Sequence, residues 1–100
     1  MIYPTQLVYV REGYRERFCE FEDRVLPLLA KHGGELLLSL RPASDAKVAG
    51  TAEVPYELHL IRFEREEDLA RYSNDDERRL YLPLKDESVR DTLLVKGNRV

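Results

Sequence analysis

The hydrophobic pattern changes its period early in the chain, and this change predicts a strand followed by a long helix. The segment Tyr3–Val10 is rich in Tyr, Val, Thr and Leu and ends at a charged turn that contains Gly13, as is typical of a strand. Over residues 14–31 the apolar side chains recur mostly at steps of three and four, which places them on one face of a helix. The chain is therefore expected to begin with a β-α unit.

Pro27 lies inside the predicted helix, where a proline removes one backbone hydrogen bond, so we expect a kink at that position. The sequence His32-Gly33-Gly34 predicts the helix end, because glycine readily adopts the left-handed conformation that follows many helices. A histidine in the last turn also interacts favourably with the negative end of the helix dipole. A kinked helix over residues 14–31 is the expectation.

Two further strands are predicted at residues 35–41 and 56–63. Both carry apolar side chains on both parities, which indicates that both faces of their sheet are at least partly covered. The connection between them, residues 42–55, contains no aromatic residue and reads as a long hairpin loop. Loops of this length in small domains are often mobile or functional.

The last third of the chain predicts a broken helix and a fourth strand. A short helix opens at Arg65 with acids in its first turn, which the helix dipole favours. Residues 73–76 offer N-cap side chains for a second helical piece, which Pro83 is expected to interrupt. Residues 85–88 are expected to form a polar turn, and residues 89–96 the last strand.

This order of elements predicts one α+β domain over residues 1–100 with the ferredoxin-like β-α-β-β-α-β topology, in which both helices cover one face of a four-stranded antiparallel sheet. Alternate strand residues form two sets, and the more purely apolar set is expected to face the helices: Leu7, Tyr9, Leu36, Leu38, Leu40, Leu58, Leu60, Leu93 and Val95. The opposite set, which includes Val8, Ile61 and Phe63, is still too apolar for water. A second copy of the chain is therefore expected to cover it in a homodimer.

Composition excludes several classes of protein. With 43% hydrophobic and 35% charged residues the chain is not typical of disordered proteins, and no apolar run approaches the roughly 20 residues of a membrane-spanning helix. The first residues resemble a strand and not a signal peptide, so a cytoplasmic location without membrane contact is expected. The net charge is −3 and no basic run is longer than Arg78-Arg79, which argues against nucleic acid as a partner.

Thiol and metal chemistry find little support in the sequence. The single cysteine, Cys19, has no partner for an internal disulfide and is expected to be a small core residue. The two histidines, His32 and His59, are far apart and do not show the spacing of metal ligands. No glycine-rich phosphate loop precedes a helix, and we therefore predict neither a metal nor a cofactor.

Three stretches carry a resemblance to a known family: residues 25–34 with the sequence VLPLLAKHGG, the strand at 56–63, and Arg71-Tyr72-Ser73-Asn74-Asp75 followed by Arg78 or Arg79. With the order of elements, they resemble the dimeric α/β-barrel superfamily, which includes the antibiotic-biosynthesis monooxygenases. The resemblance implies two protomers packed sheet to sheet, with a pocket between sheet and helices in each. Some members oxidise quinol-like substrates without a cofactor, others bind or degrade haem, and many have no known activity.

The same resemblance and the strand pattern suggest residues for such a pocket. The catalytic candidates are His32, His59 and Tyr72, and the candidates for contact with the substrate are Tyr9, Tyr14 and Arg41. Each also has a structural interpretation: His32 as a residue at a helix C-terminus, His59 as a hydrogen-bonded interface residue, and the tyrosines as core and rim. The loop at residues 42–55 is a candidate for closing the pocket.

Two functions remain open from the sequence alone. The first is a dimeric protein that binds or oxidises a small aromatic molecule without a metal, by an oxygenase-like or isomerase-like reaction. The second is a non-enzymatic dimerisation module in which the polar strand residues only satisfy one another. Fold analogy does not decide between them, because one fold hosts many functions.

Overall fold

The computed structural model describes residues 1–99. Its four strands are β1 (Tyr3–Val10), β2 (Gly34–Leu40), β3 (Glu57–Phe63) and β4 (Val89–Gly97). They form one antiparallel sheet in the order β2-β3-β1-β4, so the first and third strands lie in the centre. The strand predictions are confirmed to within one residue at each end.

The helical elements are α1 (Arg15–Val25), a 3₁₀ helix (Leu26–His32), α2 (Glu66–Ser73), α3 (Asp76–Leu80) and α4 (Leu82–Ser88). One helical segment follows β1, and a second, broken segment follows β3. The predicted α+β architecture, with strands and helices in the order β-α-β-β-α-β, is therefore confirmed.

The predicted helix over residues 14–31 is two elements and not one kinked helix. Pro27 lies in the first turn of the 3₁₀ helix, where its missing N–H has no intrahelical partner to lose. Gly33 then ends the segment with a φ of 72°, and its N–H donates to the carbonyl of Ala30. The predicted stop at the two glycines is confirmed.

The prediction of a polar turn at residues 85–88 is wrong. Pro83 begins α4 and does not interrupt a helix, because a proline in the first turn fits the helical φ without losing a hydrogen bond. The hydroxyl of Ser88 donates to the carbonyl of Leu84 at 2.6 Å, which satisfies an acceptor close to the end of this helix. Residues 85–88 are therefore the last turn of α4.

The sheet face that contacts the helices is the opposite of the predicted one. Leu36 is the exception and packs on the helix side as predicted, because the register of β2 shifts between Leu36 and Leu38. Val8 packs with Phe18, Phe21 and Val25 of α1, while Ile61 and Phe63 pack with the 3₁₀ helix and α2. The other face carries apolar residues that pair across strands in register, and several are more than a third exposed. We call it the leucine face: Leu7, Leu38, Leu40, Leu58, Leu60, Leu93 and Val95.

None of the helices formed by residues 1–99 combines the length and the hydrophobicity that crossing a membrane requires.

Candidate functional site

The apolar stripe of α1 contains one acid. Phe18, Phe21 and Val25 follow helical spacing toward the sheet, and Glu22 lies within this stripe, where its side chain is also buried. A buried carboxylate is rare unless it is paired, because the loss of hydration disfavours the charged form. Glu22 therefore needs polar partners on the sheet below it.

Strand β3 supplies those partners. Glu57 and His59 are two residues apart in β3, so both side chains point to the same face of the sheet, which is the face beneath the helices. Both are nearly inaccessible, with 4% and 3% of their surfaces exposed. The strand thus places a carboxylate and an imidazole next to each other under α1.

The three side chains meet in one hydrogen-bonded group, which we call the Glu-His-Glu cluster (Glu22, Glu57 and His59). Nε2 of His59 lies 2.6 Å from Oε2 of Glu22 and 2.6 Å from Oε2 of Glu57. Nε2 carries a single hydrogen, so the two acids compete for it. The contact with Glu57 is a hydrogen bond, and the contact with Glu22 is an ion pair. A single ring nitrogen thus bridges two carboxyl groups that come from a helix and a strand.

This arrangement separates the proton affinities of the two acids. Burial raises the pKa of Glu22 to about 7, although the hydrogen bond with His59 acts in the opposite direction. Burial also acts to raise the pKa of Glu57, but hydrogen bonds from Glu22, His59 and Arg41 outweigh it and lower that pKa. Glu57 thus favours its ionised form, and Glu22 is the weaker acid of the two.

His59 lies between the two acids and contacts both. Burial acts to lower the pKa of His59, but hydrogen bonds to Glu22 and Glu57 outweigh the burial and raise it. A second cation completes the group from outside, because Nε of Arg41 donates to Oε1 of Glu57 at 2.9 Å. The cluster therefore combines two acids of different pKa with an imidazole and a guanidinium, a combination that acid–base sites use.

A small cavity between the sheet and the helices touches this cluster. Its volume is about 50 Å³, and Glu22, His59 and Tyr72 contribute to its wall. One water needs roughly 10–15 Å³ of such volume, so the cavity has room for a few waters or for a molecule of a few non-hydrogen atoms. Apolar residues of α1 and β1 form most of the remaining wall.

Two cations face the same cavity, Arg78 from α3 and Lys85 from α4. Burial lowers the pKa of Lys85, and the neighbouring Arg78 lowers it further. Nε of Arg78 is buried without a hydrogen-bond acceptor among residues 1–99, and its guanidinium lies 5.0 Å from the ring centre of Tyr72. The cavity thus has an acid–base group on one wall and positive charge on another.

Two of the catalytic candidates predicted from the sequence, His59 and Tyr72, line this cavity. The hydroxyl of Tyr72 donates to the carbonyl of Val25 at 3.3 Å, and burial raises its pKa. The ring of Tyr72 also contacts the ring of Phe63, so its place in the core is fixed.

The third catalytic candidate, His32, is not part of the cavity wall. Nε2 of His32 lies 2.7 Å from Oδ2 of Asp75, and the same oxygen accepts a hydrogen bond from Nζ of Lys31. The other carboxylate oxygen of Asp75, Oδ1, accepts from the backbone N–H of Arg78. Hydrogen bonds from His32 and Lys31 hold the pKa of Asp75 well below its ordinary value. Asp75 thereby joins the end of the 3₁₀ helix to the N-cap of α3.

The predicted substrate-contact residues lie at one end of the sheet and not in the cavity. Tyr9 and Arg41 line an open groove whose wall includes residues of the loop at 42–55, and the hydroxyl of Tyr9 donates to the carbonyl of Glu53 at 2.9 Å. Tyr14 is 38% exposed at the N-terminus of α1 and lines neither the cavity nor this groove. The loop at residues 42–55 borders this groove and contributes no residue to the wall of the cavity.

Sequence reasoning missed Glu22, Glu57 and Lys85. The signals were present in the sequence. Glu22 interrupts an apolar stripe of α1, and Glu57 comes two residues before His59 in β3, so both side chains point to the same face of the sheet. Spacing alone did not connect them, since Glu22 and His59 lie in different elements and meet only when α1 packs on the sheet. Ligand atoms of the Glu-His-Glu cluster lie within 4.8 Å of one another, so they are also close enough to contact one cation.

No protein-family model matches the chain, and no curated protein matches it significantly. Solved structures match it along nearly its whole length. A dimeric protein of unknown function from Bacteroides fragilis, described as having a ferredoxin-like fold, is 12% identical with a TM-score of 0.71, over 98% of this chain and 95% of that one. The fold is ferredoxin-like.

Two more solved structures share the ferredoxin-like fold with this chain. A protein of unknown function from Rhodopseudomonas palustris is 14% identical with a TM-score of 0.86, over 99% of this chain and 82% of that one. A candidate antibiotic biosynthesis monooxygenase from Nitrosomonas europaea is 12% identical with a TM-score of 0.75, over 100% of this chain and 99% of that one. The resemblance seen in the sequence is thus confirmed at the level of the fold. At such low identities a shared fold does not show that the proteins share an activity.

Proposed function

We propose that the protein is an enzyme that moves a proton on a small organic acid, using the Glu-His-Glu cluster and no metal ion. The observation that carries the proposal is the buried Glu22, whose pKa of about 7 lets it both take and give a proton at neutral pH. A buried acid in a merely structural role is normally locked in one protonation state by its partners. Here the acid also borders a cavity of about 50 Å³.

The charges around the cavity favour a small anion with an acidic C–H bond. Arg78 and Lys85 attract a carboxylate, and they also stabilise the negative charge that develops on an enolate oxygen. Glu22 faces the same space from α1. A short 2-oxo acid meets these requirements, and it suits the volume of about 50 Å³ better than the aromatic molecule expected from the sequence.

The proposed step is a reversible proton transfer. The ionised carboxylate of Glu22 takes a proton from the carbon next to the carbonyl group, and the electron pair of the C–H bond moves to the carbonyl oxygen as an enolate. Lys85 and Arg78 hold this oxygen. Glu22 then returns a proton to carbon, while His59 and Glu57 hold Glu22 in place and balance its change of charge.

Deuterium exchange tests the proposal. We expect the protein to accelerate the replacement of the methyl protons of pyruvate in D₂O, as followed by ¹H NMR, and the rate to be unchanged by EDTA. Glu22→Gln keeps the shape of the side chain and removes the base, so we expect a rate loss on the order of 100-fold or more. Glu20→Gln, on the exposed side of the same helix, is the matched control.

Three results would contradict the proposal. No acceleration with pyruvate or with longer 2-oxo acids would remove the assigned reaction. A normal rate in a folded Glu22→Gln protein would remove the assigned base. A rate that EDTA abolishes would assign the three ligand atoms to a metal ion instead.

The other predicted residues take supporting roles in this proposal. Tyr72 forms a fixed wall of the cavity, and His32 positions α3, and with it Arg78, through Asp75. His59→Asn would therefore lower the exchange rate strongly, whereas His32→Asn would act mainly through the placement of Arg78.

We also propose that the protein is a homodimer that buries the leucine face. Leu38, Leu93 and Val95 are 46%, 51% and 60% exposed in the single chain, and they pair across strands into one apolar surface. Contiguous apolar surface of this kind marks an interface. The dimeric relative from Bacteroides fragilis supports this assembly, which would equally suit a dimerisation module without catalysis.

A further inference from the structure

A second recess, separate from the cavity, opens at the end of the sheet where β1 and β2 finish and β3 and β4 begin. We call it the arginine groove, after the guanidinium groups of Arg15, Arg41 and Arg90, which line it with the rings of Tyr9 and Tyr56. Its volume is about 640 Å³, which lies within the range of sites for metabolite-sized ligands. The loop at residues 42–55 forms the remaining wall.

The guanidinium groups are held against the tyrosine rings. Arg15 and Arg41 lie 5.0 Å and 5.2 Å from the ring centre of Tyr56, and Arg90 lies 5.6 Å from that of Tyr9. Such cation–π contacts restrict the long side chains and leave their N–H groups available to a ligand. The groove therefore presents partly ordered donors next to flat aromatic surface.

The charge of the groove is unbalanced. Arg41 pairs with the buried Glu57, and Arg90 pairs with Glu53, but Arg15 has no carboxylate within ion-pair distance anywhere in the described part of the chain. Three cations thus face two anions, one of which is withdrawn beneath the helices. A carboxylate entering the groove would supply the missing negative charge.

Arg41 belongs to the groove and also to the Glu-His-Glu cluster. Its Nε donates to Oε1 of Glu57, whose other oxygen is 2.6 Å from Nε2 of His59, and its terminal nitrogen donates to Sγ of Cys19 at 3.2 Å. A single side chain therefore connects an open anion-binding surface with the buried acid–base group. Any anion that engages Arg41 acts on Glu57 at the same time.

We propose that the arginine groove binds an organic carboxylate and that Arg41 couples its occupancy to the protonation of the Glu-His-Glu cluster. A bound carboxylate brings negative charge close to Glu57 and competes with it for the guanidinium. Both effects favour the protonated forms of the cluster. By reciprocity, protonation of the cluster strengthens binding in the groove.

The direction of the pH dependence follows from the groups that titrate there. Glu22 has a pKa of about 7, so binding should take up protons around that pH and be tighter at pH 6 than at pH 8. Glu22 shares the cluster with Glu57 and His59, and Arg41 contacts the cluster from the groove. The other titratable or charged side chains near the cluster or Arg41 are Cys19, Tyr56, Tyr72, Arg78 and Lys85. The raised pKa of His59 acts in the same direction as that of Glu22. Cys19 needs its own control, because it accepts a hydrogen bond from Arg41.

Titration calorimetry with benzoate tests both halves of the proposal, because benzoate keeps its charge between pH 6 and pH 8. We expect saturable binding that is roughly threefold tighter at pH 6 than at pH 8. Arg15→Gln and Arg41→Gln should each weaken binding by roughly five- to tenfold, as the loss of one charged hydrogen bond does. Arg17→Gln, an exposed arginine of α1 that pairs with Glu87, should leave the affinity unchanged.

Two further variants assign the pH dependence. Glu22→Gln should bind benzoate with a clearly smaller difference between the two pH values than the wild type, while Cys19→Ser should keep the threefold difference. Equal weakening by Arg17→Gln and Arg15→Gln would overturn the groove as a site. Binding that responds to pH in Glu22→Gln as in the wild type would overturn the coupling.

Occupancy of the arginine groove would regulate catalysis only if the cluster carries out the proposed proton transfer, and this part of the inference rests on that proposal. Binding of benzoate does not depend on that reaction. Pyruvate exchange that fails while benzoate binds with the expected pH dependence would therefore remove the enzyme and keep the groove. Exchange that succeeds without benzoate binding would do the reverse.

Discussion

At the scale of single residues, Glu22 makes the stability of the fold depend on pH near neutrality. It is 7% exposed and shares its hydrogen bonds with a cation and a second acid. Its pKa rises from 4.5 to about 7 in the folded chain. Between these two values the folded protein holds a proton that the unfolded chain releases, so folding is favoured at the lower pH.

The first prediction is that stability falls as the pH rises from 5.5 to 8. The shift at Glu22 corresponds to a loss of about 2 kcal/mol of unfolding free energy over this range, and the raised pKa of His59 acts in the same direction. Urea denaturation at the two pH values measures it. Glu22→Gln should remove most of the difference.

Asp75 provides the contrast in the same experiment. Its depressed pKa stabilises the fold above the pKa of the unfolded acid, and this contribution is lost only in stronger acid. Asp75→Asn should therefore lower stability equally at pH 5.5 and pH 8. A wild-type protein that is more stable at pH 8 than at pH 5.5 would contradict the assigned state of Glu22.

The sequence identified some residues of the site and missed their partners. His59 and Tyr72 were found because a polar or aromatic side chain in a strand or helix pattern is visible locally. Glu22 was not, because its role depends on the register with which α1 packs over β3. Arg41 was predicted to contact a substrate, but its hydrogen bond to Glu57 joins the residue after β2 to the first residue of β3, which the sequence pattern does not show.

At the scale of elements, the start of β2 is held by a close approach to β3. Gly34 pairs with Phe63 in the register of the two strands, and the side chain of Phe63 is completely buried. A Cβ atom on Gly34 would lie 2.6 Å from Cε1 of Phe63 and 3.1 Å from the carbonyl oxygen of Leu29. Glycine is therefore required here for space, and at Gly33 for its positive φ.

The second prediction is that Gly34→Ala destabilises the protein. The overlap with the buried ring forces Phe63 or the backbone to move, which costs about 1–3 kcal/mol as in other overpacked cores. Gly97→Ala is the matched control, because nothing lies within 4 Å of a Cβ at that position. Thermal unfolding of both variants measures the difference, and equal melting temperatures would show that β2 accommodates the added atom.

Elements were predicted well wherever local pattern decides them. All four strands and the glycine stop followed from residue types alone. The two prolines were misjudged because a proline ends a helix or begins one according to where the preceding turn stops, and tertiary packing decides that. Pro27 and Pro83 both open a helical segment.

At the scale of the whole molecule, the assignment of the sheet faces was reversed for a physical reason. From the sequence, the set of alternate strand residues with fewer polar members was predicted to face the helices. The covered face instead holds Glu57 and His59, because they can be satisfied only beneath Glu22 and beside Arg41. The purer set, the leucine face, consists mainly of apolar side chains and suits contact with an identical surface.

The third prediction is that the leucine face controls the oligomeric state. The wild type should sediment with twice the chain mass of 11.7 kDa, and Leu93→Asp should sediment as a monomer, because a buried charge opposes its symmetry mate. Leu80→Asp, on α3 and 73% exposed, is the control and should stay dimeric. A wild-type monomer at micromolar concentration would contradict the assembly.

The two outer strands also determine how this chain would misfold. Leucines and a valine with at least 39% exposure lie along β2 and β4, where one side of each backbone has no neighbour in the sheet. Straight apolar edges of this kind are templates for fibrils. The register shift between Leu36 and Leu38 bends one edge, and Lys96 charges the end of the other. Amyloid formation is thus opposed by an irregular backbone at β2, and substitutions that straighten this strand are those that would promote it.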